Sequence, residues 1–240
     1  MNPQPSRLAR RLALCAIALL ILLLMAPNLV WLTYSHAPST WLATIVFPTI
    51  LLTVLFAILG RWPWVPCLLL APFAMLAPLE IFYVATYHTP STAQVIATIL
   101  ITNPQETHAY VGSLLPLLIA APALSLAVAL VAAWLAFRAK LRWGGRLREW
   151  IVAIAVATPV VSLAIGFAMS RGSIPSRLQT AVVPLRSFAT ALQSGYPFGI
   201  FQRFGEYRHE WAAMRAEARK FETFSYHARR AGPQPHQRQV

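Results

Sequence analysis

Two threonines and one glutamate recur at four-residue spacing in the polar stretch 87–110, and they are the best candidates for a binding site in this sequence. They are Thr98, Thr102 and Glu106. Residues four apart in a helix lie on the same face, so Thr98 and Thr102 are predicted to share one. Hydroxyl groups donate and accept hydrogen bonds, and a carboxylate accepts them. The stretch therefore offers two hydroxyls and one negative charge to a polar ligand.

A purely structural interpretation of the same stretch is the stronger one from the residues alone. Ser91 and Gln94 have the spacing of a capping box, which predicts the start of a short helix. Asn103-Pro104 predicts the end of that helix and the start of another, in which Glu106 is the third residue. A glutamate there has a capping role of its own, and the threonines can simply face water.

Five long apolar runs fill the first 170 residues and predict the elements that hold this stretch in place. Each run is long enough to cross a hydrocarbon layer of ~30 Å as a helix, and none shows the alternation of a barrel strand. We therefore predict an all-α integral membrane protein with a five-helix domain over 1–170 and a water-facing tail over 171–240. The tail has no Pro or Gly over 206–224, which predicts a short interfacial helix. The predicted spans are about 12–34, 42–60, 64–86, 111–137 and 150–170.

The distribution of basic residues predicts how the chain crosses the membrane. A net charge of +13 would suggest nucleic acid for a soluble protein, but here nine Lys and Arg lie before the first span and in the loops near 61 and 138–148. The segments 35–41 and 87–110 contain none. Positive residues stay on the cytoplasmic side, so the N-terminus is predicted inside and the 87–110 stretch outside. The tail follows a fifth span and is predicted outside too, because long segments cross largely regardless of charge.

The sequence contains no pattern of a catalytic or metal site. Cys15 and Cys67 lack metal-ligand spacing, and His88 and His108 are isolated histidines. We find no nucleophile motif, phosphate-binding loop or dinucleotide fingerprint. Glu80 is the only acid within a predicted span, near its outer end, and a proton relay there is the less favoured interpretation. We predict no catalytic residue, metal or cofactor in these 240 residues.

The stretches 86–110 and 194–210 resemble the N-terminal membrane domain of the lipid A and lipopolysaccharide-core phosphoethanolamine transferases of Gram-negative bacteria. The T-N-x-x-E core of that family appears here as Thr102, Asn103 and Glu106. The resemblance implies an enzyme of the bacterial inner membrane, with five spans and a following periplasmic catalytic domain. It also implies that Thr98, Thr102 and Glu106 hold the donor head group. The first of these positions is commonly Asn in lipid A-type members, and here it is Thr98.

The function implied by this resemblance is membrane anchoring and donor docking for a transferase. Such an enzyme moves phosphoethanolamine from phosphatidylethanolamine to lipid A or to the lipopolysaccharide core, and it has no nucleic-acid partner. The family's zinc ligands and nucleophilic threonine have no counterpart here, so zinc is expected in a catalytic domain beyond Val240. Residues 171–240 are then a periplasmic bridge to that domain. The alternative is a non-enzymatic inner-membrane scaffold or small transporter, although a single acid within the spans disfavours ion transport.

Overall fold

The computed structural model describes residues 6–35, 41–95, 98, 112–169 and 195–222, and this part of the chain is helical with no strand. Two short helices of other geometry, a π-helix at Leu42–Val46 and a 3₁₀ turn at Gly112–Leu114, directly precede longer helices. In chain order the α-helices are α1 (Arg7–Tyr34), α2 (Phe47–Ile58), α3 (Trp64–Tyr87), α4 (Leu115–Arg138), α5 (Arg146–Met169) and α6 (Phe198–Glu222).

Helices α1, α3 and α4 pack on one another and form the centre of the bundle, while α2 packs against α5. Small side chains make this possible, because alanines let helix backbones approach closely in a membrane. Leu20 and Leu24 of α1 fill the space between the small-residue faces and are fully buried. The buried alanines of these two helices are Ala71, Ala74 and Ala77 on α3 and Ala129, Ala132, Ala133 and Ala136 on α4.

Three of the described helices are long and apolar enough to cross a membrane: α1, α3, and α4 together with its preceding turn. Their outward faces expose large apolar side chains such as Leu22, Leu117 and Leu124, as expected where lipid replaces water. The predicted all-helical membrane fold is thus confirmed with three candidate spans. The apolar helix at Thr44–Ile58 is shorter, and five spans stay a prediction.

One end of the bundle is held together by contacts between two connections. The Trp143 backbone N–H donates to the Gly60 carbonyl at 2.7 Å. Arg148 Nε donates to the Ala57 carbonyl at 2.7 Å, and the Gly60 N–H donates to the same carbonyl at 3.3 Å, so a cation adds to the capping of the end of α2. A side chain at Gly60 would lie 3.1 Å from both Arg148 Nε and Trp143 Cβ, which explains the glycine.

Helix α6 begins at Phe198, eight residues before the tail helix predicted from 206. Pro197 lies just before the first helical residue, where its missing N–H costs nothing. Phe198 and Ile200 pack against the buried core of the bundle. This burial outweighs the weak helix propensity of Gly199 and Gly205, so the helix starts earlier than predicted.

Candidate functional site

Of the three predicted head-group residues, the structure describes Thr98. It lies in a helical turn with an exposed side chain, and its hydroxyl donates to the Gln94 carbonyl at 2.9 Å. This bond to the residue four positions earlier is a common one for threonine in a helix. Thr102 and Glu106 lie outside the described residues. Their common site with Thr98 stays a prediction.

The chain turns sharply between α3 and this loop. His88 follows α3 in the left-handed conformation (φ 57°), and its N–H donates to the Val84 carbonyl at 2.8 Å, which caps the helix. The His88 ring lies 4.0 Å from the ring of Tyr34 at the end of α1, measured between centroids. His88 therefore packs on an aromatic ring at the end of the bundle.

Glu80 lies on α3 about two turns before its end, and its carboxylate receives three hydrogen bonds from elsewhere in the chain. Arg203 Nη1 of α6 donates to Oε1 at 2.7 Å, and the Ser91 N–H donates to the same oxygen at 3.1 Å. The Ser91 hydroxyl donates to Oε2 at 2.5 Å and accepts from Arg203 Nη1 at 2.8 Å. Three separate segments of the chain therefore meet at one carboxylate.

This carboxylate is one partner of a buried ion pair. The side chains of Glu80 and Arg203 are each only 7 % exposed. A charge at this depth needs a partner, because an unpaired buried ion loses its hydration without compensation. The pairing also explains Ser91, whose hydroxyl was predicted to cap the loop helix and instead bonds Glu80 and Arg203.

A second polar contact fixes the residues just before α6. The Asn28 side chain of α1 donates to the Tyr196 carbonyl at 2.8 Å and accepts from the Tyr196 N–H at 2.8 Å. The Tyr196 hydroxyl donates to the Phe73 carbonyl of α3. One amide side chain therefore satisfies both backbone groups of a buried residue, as backbone accounting requires.

Aromatic packing and electrostatics reinforce this contact. The rings of Phe73 and Phe201 lie 4.7 Å apart between centroids. Burial raises the pKa of the Tyr196 phenol, the negative charge of Glu80 raises it further, and Arg203 opposes the shift. The phenol thus stays protonated and remains a hydrogen-bond donor at neutral pH. The tail leaves the bundle from a segment held by both apolar and polar contacts.

Sequence reasoning missed both contacts because their partners are far apart along the chain. Glu80 and Arg203 are separated by 123 positions, and Asn28 and Tyr196 by 168. The sequence does indicate that Glu80 needs a partner, because a lone acid within an apolar run requires a cation nearby. The tail offers 11 Lys and Arg as candidates. Nothing in the spacing of those residues singles out Arg203.

The described residues do not fit a zinc site. Catalytic zinc needs about three protein ligands with an open fourth position. In the described part of the chain, no group of three His, Cys, Asp or Glu side chains could hold a metal ion. Glu80 is committed to Arg203 and Ser91, and the Cys67 thiol donates to the Pro63 carbonyl at 3.3 Å.

Comparison with known proteins agrees with this membrane architecture. A family model described as "Phosphoethanolamine transferase EptA/EptB", for the N-terminal domain, matches residues 48–177. The matched region covers more than half of the chain and includes α2 to α5 and the loop that carries Thr98. No curated protein and no solved structure matches the chain. The chain belongs to the EptA/EptB phosphoethanolamine transferase family, through the N-terminal domain of that family.

Proposed function

We propose that residues 1–240 anchor a phosphoethanolamine transferase in the bacterial inner membrane and dock its donor lipid. The donor is phosphatidylethanolamine, and the acceptor is lipid A or the lipopolysaccharide core. Family membership supports the reaction class. The observation that carries the docking role is the fixed start of the loop: Ser91 is tied to the buried Glu80, and Thr98 follows it by seven residues, with an exposed side chain.

The three loop residues match the chemistry of this donor. A carboxylate at Glu106 suits the ethanolamine ammonium, and the hydroxyls of Thr98 and Thr102 suit phosphate or glycerol oxygens. A domain that holds the head group in one orientation helps the transfer reaction, because correct positioning of the reactants lowers the activation barrier. The reduction reaches ~7–11 kcal/mol in the best cases. The proposed contribution of this chain is binding and orientation of the donor.

The proposed orientation puts the N-terminus in the cytoplasm and both the loop and the tail in the periplasm. The absence of Lys and Arg from 87–110 supports it. Two contacts support the grouping of the segments. Ser91 and Arg203 belong to the two segments proposed to be periplasmic, and they bond to each other. Gly60 and Trp143 belong to the two connections proposed to be cytoplasmic, and they also bond.

Helix α6 is proposed to lie at the membrane interface as it leaves the bundle. Phe204, Tyr207, Trp211 and Met214 follow one another three or four positions apart and form one stripe. Phe204 and Met214 are about half exposed, and the Arg215 guanidinium lies 5.0 Å from the centre of the Trp211 ring. Aromatic side chains with flanking arginines are typical of helices at the lipid headgroup level.

Donor binding by the purified chain tests the docking role. Residues 1–240 in lipid nanodiscs should retain phosphatidylethanolamine in preference to phosphatidylglycerol and phosphatidylcholine. Native mass spectrometry of the protein released from the nanodiscs identifies the lipids that remain bound to it. Phosphatidylcholine is the informative competitor, because its quaternary ammonium cannot donate a hydrogen bond to Glu106. Equal retention of all three lipids would contradict donor docking and favour an anchoring or scaffold role alone.

A further inference from the structure

The first residues of the tail enter the bundle. The tail root, residues 195–205, contains two polar anchors: Tyr196, held by Asn28 and the Phe73 carbonyl, and Arg203, held by Glu80 and Ser91. The hydrogen-bond partners of Tyr196 lie on the spans α1 and α3. Arg203 also contacts the first residues of the loop that carries Thr98. The two anchors therefore differ in what they connect.

We propose that Glu80, Ser91 and Arg203 form a latch that sets the position of the tail relative to the donor loop. In this assignment, which rests on the proposed docking function, the three are positioning residues that never touch the donor. The latch joins the third span, the loop and the tail at one carboxylate. It holds the start of the donor loop and the start of α6 in one fixed relationship.

The bonding pattern supports a positioning role because it couples the tail to the loop and not only to the bundle. Ser91 contributes two groups: its N–H donates to Oε1 of Glu80 and its hydroxyl donates to Oε2. The same hydroxyl accepts from Arg203 Nη1. Moving the tail away from the bundle therefore breaks a bond to the loop as well as the ion pair.

The latch also selects one register for α6. The apolar contacts of Phe198, Ile200 and Phe201 are non-directional and tolerate sliding or rotation. A shift by one residue moves a helical side chain by about 1.5 Å along the axis and about 100° around it. Such a shift would separate Arg203 from Glu80 and leave two unpaired charges in the bundle. Buried polar pairs are best attested in this register-setting role.

The consequence for the transferase follows from the distances involved. Thr98 lies seven residues after Ser91, so the latch fixes the chain close to the proposed head-group site. A displacement of ~1 Å between a donor and the reacting groups can lower a rate by about two orders of magnitude. A fixed tail register thus suits an enzyme whose donor is held by one part of the chain and approached by another.

The test measures the distance between loop and tail directly, without donor or catalysis. Spin labels at Gln94→Cys and His209→Cys, both exposed positions, report it by pulsed electron resonance on residues 1–240 in nanodiscs. The background carries Cys15→Ser and Cys67→Ala. The key variant is the uncharged pair Glu80→Gln with Arg203→Met, which leaves no isolated buried charge and so protects folding.

We expect a single narrow distance for the parent and a broadened or shifted distribution for the uncharged pair. The matched control, Glu210→Gln with Arg208→Met, makes the same chemical change on the exposed face of α6 and should leave the distribution narrow. Ser91→Ala should broaden it less, because the ion pair and the Ser91 N–H remain. Circular dichroism must show unchanged helix content in all of them.

The latch is overturned if the uncharged pair keeps the parent's narrow distance while folded. This outcome is independent of the docking role, which is read separately by phosphatidylethanolamine retention. If the parent chain prefers phosphatidylethanolamine and the uncharged pair broadens the loop–tail distance, the results support both donor docking and the latch. If the parent distance is narrow and the uncharged pair broadens it, but the chain retains all three lipids equally, the latch stands and donor docking is rejected.

Discussion

Arg203 Nη1 lies 2.7 Å from Glu80 Oε1, and the two side chains are buried within the bundle although their residues lie on different helices, α6 and α3. This ion pair gives the tail a point of attachment inside the membrane domain. It also gives Glu80 a structural role, because its carboxylate is committed to hydrogen bonds from Arg203 and Ser91.

Removing one member of this pair should destabilise the chain much more than removing the charges of both. Arg203→Met alone leaves the Glu80 carboxylate buried and unpaired, at a cost of about 3–5 kcal/mol. Glu80→Gln combined with Arg203→Met should recover most of that loss. Thermal unfolding in one detergent, followed by circular dichroism, gives the comparison. A double variant as unstable as the single would show that the pair itself, and not the stranded charge, governs stability.

Tyr196→Phe should lower the free energy of unfolding by about 0.5–1.5 kcal/mol, because the hydroxyl bond to the Phe73 carbonyl is lost while the ring remains. Tyr34→Phe is the control, since the Tyr34 side chain is 40 % exposed at the end of α1. Equal effects of the two substitutions would show that the hydroxyl bond adds nothing to stability.

The same tyrosine should make stability depend on pH in the alkaline range. Its pKa is raised by burial, so the folded chain binds the phenolic proton more tightly than the unfolded chain does. The corresponding stabilisation is complete below the ordinary tyrosine pKa of ~10 and is lost as pH rises above it. Between pH 9 and 11 the parent should lose more stability than Tyr196→Phe. Parallel losses would contradict the raised pKa.

In the transferase, Glu106→Gln should reduce phosphoethanolamine transfer by about ten- to a hundred-fold, since a charged hydrogen bond contributes roughly 1.5–3 kcal/mol. Glutamine can still serve as a capping-box residue, so expression and insertion should be unchanged. Glu210→Gln on α6 is the matched control. Mass spectrometry of lipopolysaccharide from cells with equal protein levels measures the effect, and normal modification by Glu106→Gln would return that residue to a capping role.

Reporter fusions after residues 40, 100 and 220 should all give periplasmic signals, and fusions after 63 and 143 should give cytoplasmic ones. The prediction follows from nine Lys and Arg in the segments assigned to the inside and none in 35–41 or 87–110. A cytoplasmic signal at 100 would place the donor loop on the wrong side for a periplasmic transfer. Because five spans are assumed, a cytoplasmic signal at 220 alone would instead remove one crossing.

The membrane class of this protein could be predicted from the sequence because a span is a local property. About 20 apolar residues in a row suffice to identify a candidate helix, whatever the rest of the chain does. The predicted runs at 12–34, 64–86 and 111–137 correspond closely to α1, α3 and α4. The spacing of Thr98, Thr102 and Glu106 is likewise local to one short stretch, but their role as a common site stays a prediction.

The attachment of the tail was decided only by the tertiary structure. The start of α6 depends on the packing of Phe198 and Ile200 against the bundle, and local propensity alone predicts a later start. The partners of Glu80 and Asn28 are likewise invisible to any window of sequence, because both come from the tail root. A buried polar group needs a hydrogen-bond or ion-pair partner, and the sequence shows this requirement without identifying the partner. Which of many arginines meets it depends on how the helices pack, and packing is a property of the whole chain.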